Sequence, residues 1–230
     1  ADIDPRELPR MHFSTNEFLI GDRPYGSWSF TLNPNSEGAE IDDLAFDFRG
    51  LRLGLDTASS EQAENDPLDS EAGEPLLIPH FSWRYDGATH ESELTGVLTA
   101  DNMADVLTAN GYAASLESSS AEFVADLSWP GSPAFFSAAN LSGDIAINIE
   151  DGRFLQRAGA AGALKLISIL NFDAIMRRLR FSDDLLRSGL AYDEITGRMS
   201  ILDGQVHIED RLVISGPSSL YQITGDLNLK

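Results

Sequence analysis

The chain has 230 residues, of which 42% are hydrophobic and 23% are charged, a composition typical of a folded globular protein rather than a disordered one. Its 37 Asp and Glu residues outnumber 16 Lys and Arg residues, which gives a formal net charge of −21 at pH 7. A chain this acidic repels a phosphate backbone, so nucleic-acid binding is excluded. The absence of cysteine excludes disulfide bonds, a thiolate nucleophile and any zinc site with Cys ligands.

Alternation of apolar and polar residues dominates the chain and predicts β-strands. Each such strand has one apolar and one polar face, as in an antiparallel sheet. The alternating sets are Leu44, Phe46 and Phe48; Leu51, Leu53 and Leu55, after a change of phase at Gly50; Phe123, Ala125, Leu127 and Trp129; Ile145, Ile147 and Ile149; Ile195, Met199 and Ile201; Val206 and Ile208; and Ile223, Leu227 and Leu229. We predict a mainly β fold with an antiparallel sheet.

Several short sequences between these sets favour chain reversal. Asp86-Gly87, Asp151-Gly152 and Asp203-Gly204 can each supply the positive φ that a two-residue hairpin turn requires. Asn33-Pro34-Asn35, followed by Gly38, marks a further reversal. The strands are therefore expected to follow one another as a meander of hairpins.

A five-residue pattern recurs along the chain: an apolar residue, Ser or Thr, Gly, any residue, and a second apolar residue. It occurs at 94–98, 141–145, 195–199 and 223–227, with a shorter echo at 214–216. Glycine inside a strand usually marks a bulge or a sharp bend, so the repeat predicts a regularly curved sheet. The alternative is coincidence among turn residues.

Three stretches interrupt the strands. Residues 101–110 predict a short helix, with Asp101 as its cap and Gly111 at its end. Residues 59–74 hold six acids and no basic residue, which predicts a flexible acidic loop. Residues 155–188 predict a helical insert whose apolar run is too short to cross the ~30 Å hydrocarbon core of a membrane.

Residues able to carry chemistry are few and scattered. The histidines, His12, His80, His90 and His207, lack metal-ligand spacing. Asp42 and Asp43 are adjacent on a predicted strand, so their side chains are expected to point to opposite faces of the sheet. Calcium-loop, dinucleotide-loop and nucleophile-elbow motifs do not occur in the sequence. We therefore expect no metal, no cofactor and no catalytic residues.

The apolar face of the predicted sheet carries more large side chains than the few predicted helices can cover. Two arrangements would remove this apolar face from water: the sheet packs on itself as a closed core, or the sheet leaves a groove that a ligand fills. Acyl chains suit such a groove, because each buried methylene contributes about 0.8 kcal/mol without directional bonding. The residues alone leave both arrangements open.

Motifs along nearly the whole chain resemble those of YhdP-like proteins, a family of the AsmA-like superfamily. Residues 1–9 (ADIDPRELP) resemble the opening of a late segment in these proteins. Further similar motifs are 107–116 (LTANGYAASL), 127–133 (LSWPGSP), 141–155 (LSGDIAINIEDGRFL), 159–179 (GAAGALKLISILNFDAIMRRL), 181–197 (FSDDLLRSGLAYDEITG), 206–216 and 223–229. The stretches 159–179 and 181–197 resemble the family's C-terminal helical insert and the strand that follows it.

This resemblance implies a C-terminal piece of a long envelope protein of Gram-negative bacteria. The family's members are bridge-type lipid transporters, with an N-terminal inner-membrane anchor and a strongly curved, taco-like β-sheet that crosses the periplasm. For this chain the resemblance implies a single β-groove domain over residues 1–230 in the periplasm, with the anchor helix outside it. The start at Ala1, with the first Met at Met11, fits such a piece. The implied function is non-enzymatic transport of phospholipid between the inner and outer membranes.

In such a groove, acyl chains lie on the concave apolar side and headgroups face water. The alternating residues predicted to line it are Phe46, Phe48, Leu53, Phe123, Leu127, Ile145, Ile147, Ile149, Ile201, Ile208 and Ile223. The helical insert is predicted to contact the inner leaflet of the outer membrane through Leu164, Leu166, Ile167, Leu170, Arg177, Arg178 and Arg180. The alternatives are core packing for the lining residues and a cap on the sheet for the insert.

Two other functions stay open at this stage. An exposed sheet edge can bind an envelope or outer-membrane partner by strand addition, or pair with a second copy of the chain. A hydrolase acting on envelope glycan would need acids such as Asp42, Asp183 and Asp193 to converge in a cleft. No motif indicates which lipid headgroup is preferred.

Overall fold

The computed structural model describes residues 3–20, 23–54, 78–155 and 190–228. Sixteen strands occupy most of them: β1 (Met11–Thr15), β2 (Leu19–Ile20), β3 (Arg23–Pro24), β4 (Ser27–Pro34), β5 (Gly38–Phe48), β6 (Leu51–Leu53), β7 (His80–Tyr85), β8 (His90–Ala100), β9 (Leu116–Glu117), β10 (Ser120–Pro130), β11 (Ser142–Phe154), β12 (Leu190–Leu202), β13 (Gln205–Ile208), β14 (Leu212–Gly216), β15 (Ser219–Ile223) and β16 (Asp226–Asn228). The helix α1 spans Met103–Ala109, and 3₁₀ turns span Pro5–Glu7, Pro133–Phe135 and Ala138–Asn140. The predicted acidic loop, 59–74, lies outside the described residues, as does the predicted helical insert beyond Leu155.

Fourteen of these strands form one antiparallel sheet, which confirms the predicted mainly β fold. Its main order is β1-β4-β5-β6-β8-β10-β11-β12-β13-β16. Strand β7 pairs with β5 and β8, β9 pairs with β11, and β14 pairs with β12 and β15. Strands β2 and β3 form a separate two-stranded sheet. The longest strands, β11 and β12, have 13 residues each and lie near the middle of this order.

The pairing register places the apolar residues of successive strands opposite one another. A middle row runs through Phe46, Leu53, Leu98, Phe123 and Ile147, each paired with the next. A second row runs through Ala125, Ile145, Met199 and Ile208. A third row includes Phe81, Leu94 and Leu127. Because side chains on a strand alternate between faces, these rows form one continuous apolar face.

The predicted turns differ in their outcomes. Asp203-Gly204 is a two-residue turn as predicted, with φ of 49° and 72° and with Leu202 opposite Gln205. Asp86-Gly87 belongs instead to a four-residue loop, in which the Asp86 carboxylate accepts hydrogen bonds from the backbone amides of Ala88 and Thr89 at 2.8 and 2.7 Å. These bonds hold the pKa of Asp86 below its ordinary value. The shift in phase at Gly50 is a full reversal, because Phe48 pairs with Leu51.

The prediction of a turn at Asp151-Gly152 is wrong. The strand β11 runs without reversal from Ser142 to Phe154. Asp151 takes a left-handed conformation, with φ of 44°, between the Glu150–Glu194 and Gly152–Tyr192 pairs, which share one register. The strand therefore keeps both its pairing register and its direction through this position.

The prediction that Asp42 and Asp43 point to opposite faces is also wrong. Asp43 has φ of 53°, which breaks the alternation at this position. Its carboxylate accepts a hydrogen bond from the Thr31 hydroxyl at 3.4 Å, and the Asp42 carboxylate accepts one from Asn33 Nδ2 at 2.5 Å. Both carboxylates therefore lie on the polar face, beside strand β4.

Three of the four glycines of the five-residue repeat lie on the apolar face, in three different rows, and the fourth, Gly225, lies between β15 and β16. Gly96 pairs with Ala125, Gly143 with Leu127, and Gly197 with Ile147. Each glycine admits a different neighbour, since an added Cβ would lie 2.8 Å from Leu53 Cδ1 at Gly96, would overlap the Asp126 carbonyl at Gly143, and would lie 2.9 Å from Leu212 Cδ1 at Gly197. These three glycines therefore mark close approaches at separate places, whereas an added Cβ at Gly225 would have no neighbour within 4 Å.

Candidate functional site

The apolar face is the feature of this fold that offers a binding surface. All eleven residues predicted to line a groove lie on it, as their strand pairings and burial place them. Six of them are buried: Phe46, Leu53, Leu127, Ile149, Ile201 and Ile208. The other five are half-buried: Phe48, Phe123, Ile145, Ile147 and Ile223. Leu98 and Met199 also lie on this face although neither was predicted to line the groove, and alternation within 94–98 and 195–201 is the signal that indicates them.

One end of the apolar face is covered. There Trp83 pairs with Ser92, and Ser92 pairs with Trp129. The 3₁₀ turn Pro5–Glu7 packs against β4, β5 and β7, with Pro5 buried. Ser92 is the single polar side chain in the row Trp83, Ser92 and Trp129. It is fully buried, and its hydroxyl donates a hydrogen bond to the Gly131 carbonyl at 3.0 Å, so its hydrogen-bonding capacity is used.

The opposite end is covered by α1. Its residues Ala104 and Val106 are buried, and Val106 belongs to a cluster with Ile149, Phe154 and Ile195. The helix is positioned by the Asn102 side chain, which accepts a hydrogen bond from the backbone amide of Ala104 at 2.9 Å. Both ends of the apolar face are thus closed by local elements of the chain.

The rows between these covered ends are the accessible part of the face. Leu98, Phe123 and Ile147 of the middle row are half-buried, as are Ile145 and Met199 of the second row. Neither row contains a charged or hydrogen-bonding side chain, so nothing there can transfer a proton or bind a metal. The arrangement can bind an extended apolar ligand by exclusion of water.

A polar cleft of about 550 Å³ lies beside the end covered by α1. Its walls include Asn102, Ser118, Asp151, Arg153 and Tyr192. Arg153 Nε lies 2.5 Å from a Glu117 carboxylate oxygen, an ion pair that raises the pKa of the guanidinium. Asp151, with its left-handed backbone, forms part of this cleft, which no sequence pattern predicted.

No group of three or more His, Asp or Glu side chains suited to a metal ion occurs within the described residues. The histidines lie apart, as expected: His12 beside Thr31, His80 beside Glu40, His90 beside Trp83, and His207 beside Asp226. Asp42 on β5 and Asp193 on β12 are separated by four intervening strands. Asp183, the third acid named for a hydrolase, lies outside the described residues.

The membrane-contact candidates of the helical insert also lie outside the described residues. These are Leu164, Leu166, Ile167, Leu170, Arg177, Arg178 and Arg180. Within the part of the chain that the structure describes, no helix is both long enough and apolar enough to cross a bilayer.

Comparisons with known proteins agree with the resemblance found in the sequence. The model of the YhdP protein family matches residues 1–230. A curated protein of Escherichia coli (strain K12), the intermembrane phospholipid transporter YhdP, is 28% identical over 168 residues, which make up 70% of this chain and 13% of that protein. The chain thus spans a small part of that relative's length. No solved structure matches the chain.

Proposed function

Because the chain belongs to the YhdP protein family, we propose that its apolar face binds phospholipid acyl chains and forms one segment of a path for phospholipid between two membranes. The observation that carries this proposal is the uncharged, half-buried middle of a face whose two ends are covered. The similarity to a curated phospholipid transporter supports the choice of ligand. The proposed role is binding and transfer, without catalysis.

The dimensions of the middle row suit an acyl chain. The row crosses β5, β6, β8, β10 and β11, so it spans about 19 Å at the usual strand spacing of ~4.8 Å. One leaflet of a bilayer contains about half of the ~30 Å hydrocarbon core. Because Phe46 and Leu53 are buried, an acyl chain contacts the half-buried part of this row, Leu98, Phe123 and Ile147, where each methylene removed from water contributes about 0.8 kcal/mol.

The finer parts of the proposal follow from the family. We place residues 1–230 in the periplasm as one curved β-groove domain at the C-terminal end of a longer chain, with the lipid headgroup toward water and delivery to the inner leaflet of the outer membrane. The polar face supports an aqueous setting, because it carries acids such as Glu122, Asp126 and Asp144. The helical insert is proposed to contact that leaflet through its apolar and basic residues.

Native mass spectrometry of the purified chain, followed by solvent extraction of bound lipid, tests this function. We expect phospholipid at a defined stoichiometry. Ile147→Asp introduces a charge into the middle row and should reduce retention roughly tenfold or more, because an unpaired carboxylate is strongly disfavoured in an apolar site. The matched control is Ala146→Asp, which places the same carboxylate on the polar face opposite Arg198 and should retain lipid.

Near-ultraviolet circular dichroism of both variants shows whether the tertiary packing survives. Retention of lipid by a folded Ile147→Asp variant would contradict the assignment of the middle row. A lipid-free wild-type chain would contradict the function itself.

A second candidate function is partner binding by strand addition. The exposed Met11 on β1, at one end of the strand order, favours it. Such a module would bind a partner saturably and copurify without lipid, which the same extraction distinguishes.

A further inference from the structure

A charge-free stretch of the chain runs from Leu127 to Gly143, although 23% of all residues are charged. It contains the end of β10, the connecting loop 131–141 and the start of β11. Near the loop's tip Phe135 is 69% exposed and Phe136 is 56% exposed. Two neighbouring aromatic side chains this exposed mark a contact surface rather than ordinary scatter of apolar residues.

The loop is held in place by hydrogen bonds at its base. The backbone amide of Gly131 donates to the His90 carbonyl at 2.8 Å, and that of Gly204 donates to the Leu141 carbonyl at 2.8 Å. The Trp129 indole donates to the Ser132 carbonyl at 3.3 Å and packs edge-on against Phe136, with ring centroids 5.2 Å apart. The two Phe rings are thus presented to solvent by a supported loop.

The area and chemistry of this tip distinguish between kinds of partner. At these exposures the two rings offer about 250 Å² of surface, well below the ~800 Å² per partner of a stable protein interface. A bilayer surface needs no shape complementarity, and it takes up apolar side chains such as Phe at the boundary between headgroups and acyl chains. A loop without charged side chains enters that layer without taking a charge out of water.

We propose that the loop 131–141 inserts Phe135 and Phe136 into the surface of a lipid bilayer. The net charge of −21 makes an anionic bilayer the less favourable target, so the contact is with zwitterionic lipid and is apolar in origin. This contact goes beyond lipid binding on the apolar face and uses different residues. It also differs from the contact expected of Arg177, Arg178 and Arg180, which would prefer anionic lipid.

A fluorescent label at the loop tip tests the insertion directly. Because the chain has no cysteine, Phe135→Cys provides a unique site for an environment-sensitive nitrobenzoxadiazole label. On addition of phosphatidylcholine vesicles we expect the emission to shift to the blue and to rise roughly twofold or more, with no loss at about 0.5 M NaCl. The matched control is the same label at Leu220→Cys, a residue 61% exposed on β15, which should not respond. No response at position 135, or equal responses at both positions, would overturn the proposal.

Flotation of the unlabelled chain with the same vesicles gives an independent measurement. Phe135→Ser should reduce the floated fraction roughly fivefold or more, because a Phe ring leaves the bilayer, whereas Leu220→Ser should float as wild type does. Absence of wild-type flotation would overturn the proposal. Ile147→Asp should float as wild type does. Loss of lipid retention on the apolar face can therefore be distinguished from loss of bilayer insertion by the loop.

Discussion

Tyr192, on β12, contacts β11 through its ring and β9 through its hydroxyl group. Its ring packs against Phe154, and its hydroxyl donates to the backbone carbonyl of Glu117 at 2.5 Å. The ring lies so close to Gly152 that an added Cβ there would overlap the hydroxyl. Burial raises the pKa of Tyr192 well above its ordinary value, and the negative charges of Asp151 and Glu117 raise it further. The protonated hydroxyl therefore links β9 to β12 at every pH near 7.

This anchor makes a pH-dependent contribution to stability. Because the pKa of Tyr192 is raised in the folded state, the contribution is complete below the unfolded value of about 10 and is lost progressively as the pH rises from there through the higher folded value. Tyr192→Phe leaves the Glu117 carbonyl without its donor and should lower the free energy of unfolding by about 1–2 kcal/mol at neutral pH. Urea denaturation of both proteins near pH 7 and pH 11 should show the difference shrinking at the higher pH. A difference that stays constant would contradict this role.

At the level of residues, the sequence predicted which side chains share the apolar face. Strict alternation placed Phe123, Ile145 and Ile147 on it without knowledge of any neighbouring strand. The position that could not be predicted is Asp43, which adopts positive φ although it is not glycine, whereas positive φ at Asp151 was predicted but for a hairpin turn and not for a continuous strand. Such conformations are imposed by the paired strands on either side, so local sequence carries no reliable signal for them.

At the level of elements, α1 shows how a cap can be misplaced by one residue. We predicted Asp101 as the cap, but Asn102 holds that position, and its side chain accepts from the backbone amide of Ala104. Asp101 instead forms an ion pair with Arg52 at 2.5 Å. Both residue types are good caps, so propensity alone could not separate them. The ion pair across to β6 decides which of the two side chains turns toward the helix.

Two alanine substitutions test this assignment. Asn102→Ala removes the cap and should lower the free energy of unfolding by about 1 kcal/mol. Asp101→Ala removes an exposed ion pair and should change it by about 0.5 kcal/mol or less. Urea denaturation of the two variants at neutral pH measures both values, and a larger loss in Asp101→Ala would contradict the assignment.

How well the remaining elements could be predicted depends on their length. Long strands such as β10, β11 and β12 have enough alternating residues for the period of two to be clear. The 3₁₀ turns at 5–7, 133–135 and 138–140 are three residues each, too short to have a period. The last alternating set was one predicted strand, but it is divided between β15 and β16, with Gly225 at positive φ between them.

At the scale of the whole molecule, the predicted meander of hairpins gives most of the neighbouring strand pairs but not all of them. Strands β10, β11 and β12 pair in sequence order, whereas β6 and β7 both lie between β5 and β8. Strand β14 pairs with β12 next to β13, so two strands share one side of β12. These arrangements depend on contacts distant in sequence, which periodicity does not encode. The accessible middle of the apolar face follows from them, because strand order decides which apolar residues become neighbours.

The two ends of the main strand order are edges where association can begin. Within the described residues β1 pairs only with β4, and β16 only with β13. Unpaired edges accept a further strand, but a net charge of −21 keeps copies of the chain apart at low salt. At about 0.5 M NaCl that repulsion is screened within a few ångströms, so we expect a shift from monomer toward dimer. Size-exclusion chromatography with light scattering measures it.

Met11 identifies which edge is used. It is 40% exposed at the β1 end of the apolar face, where it pairs with Leu32. Met11→Lys places a charge where a second copy would continue that face, so this variant should stay monomeric at high salt. His12→Lys, one residue along and on the polar face beside Thr31, should dimerise as the wild type does. If Met11→Lys also dimerises, association uses the β16 edge or another surface. If the wild type stays monomeric at every salt concentration, both edges are closed to a second copy.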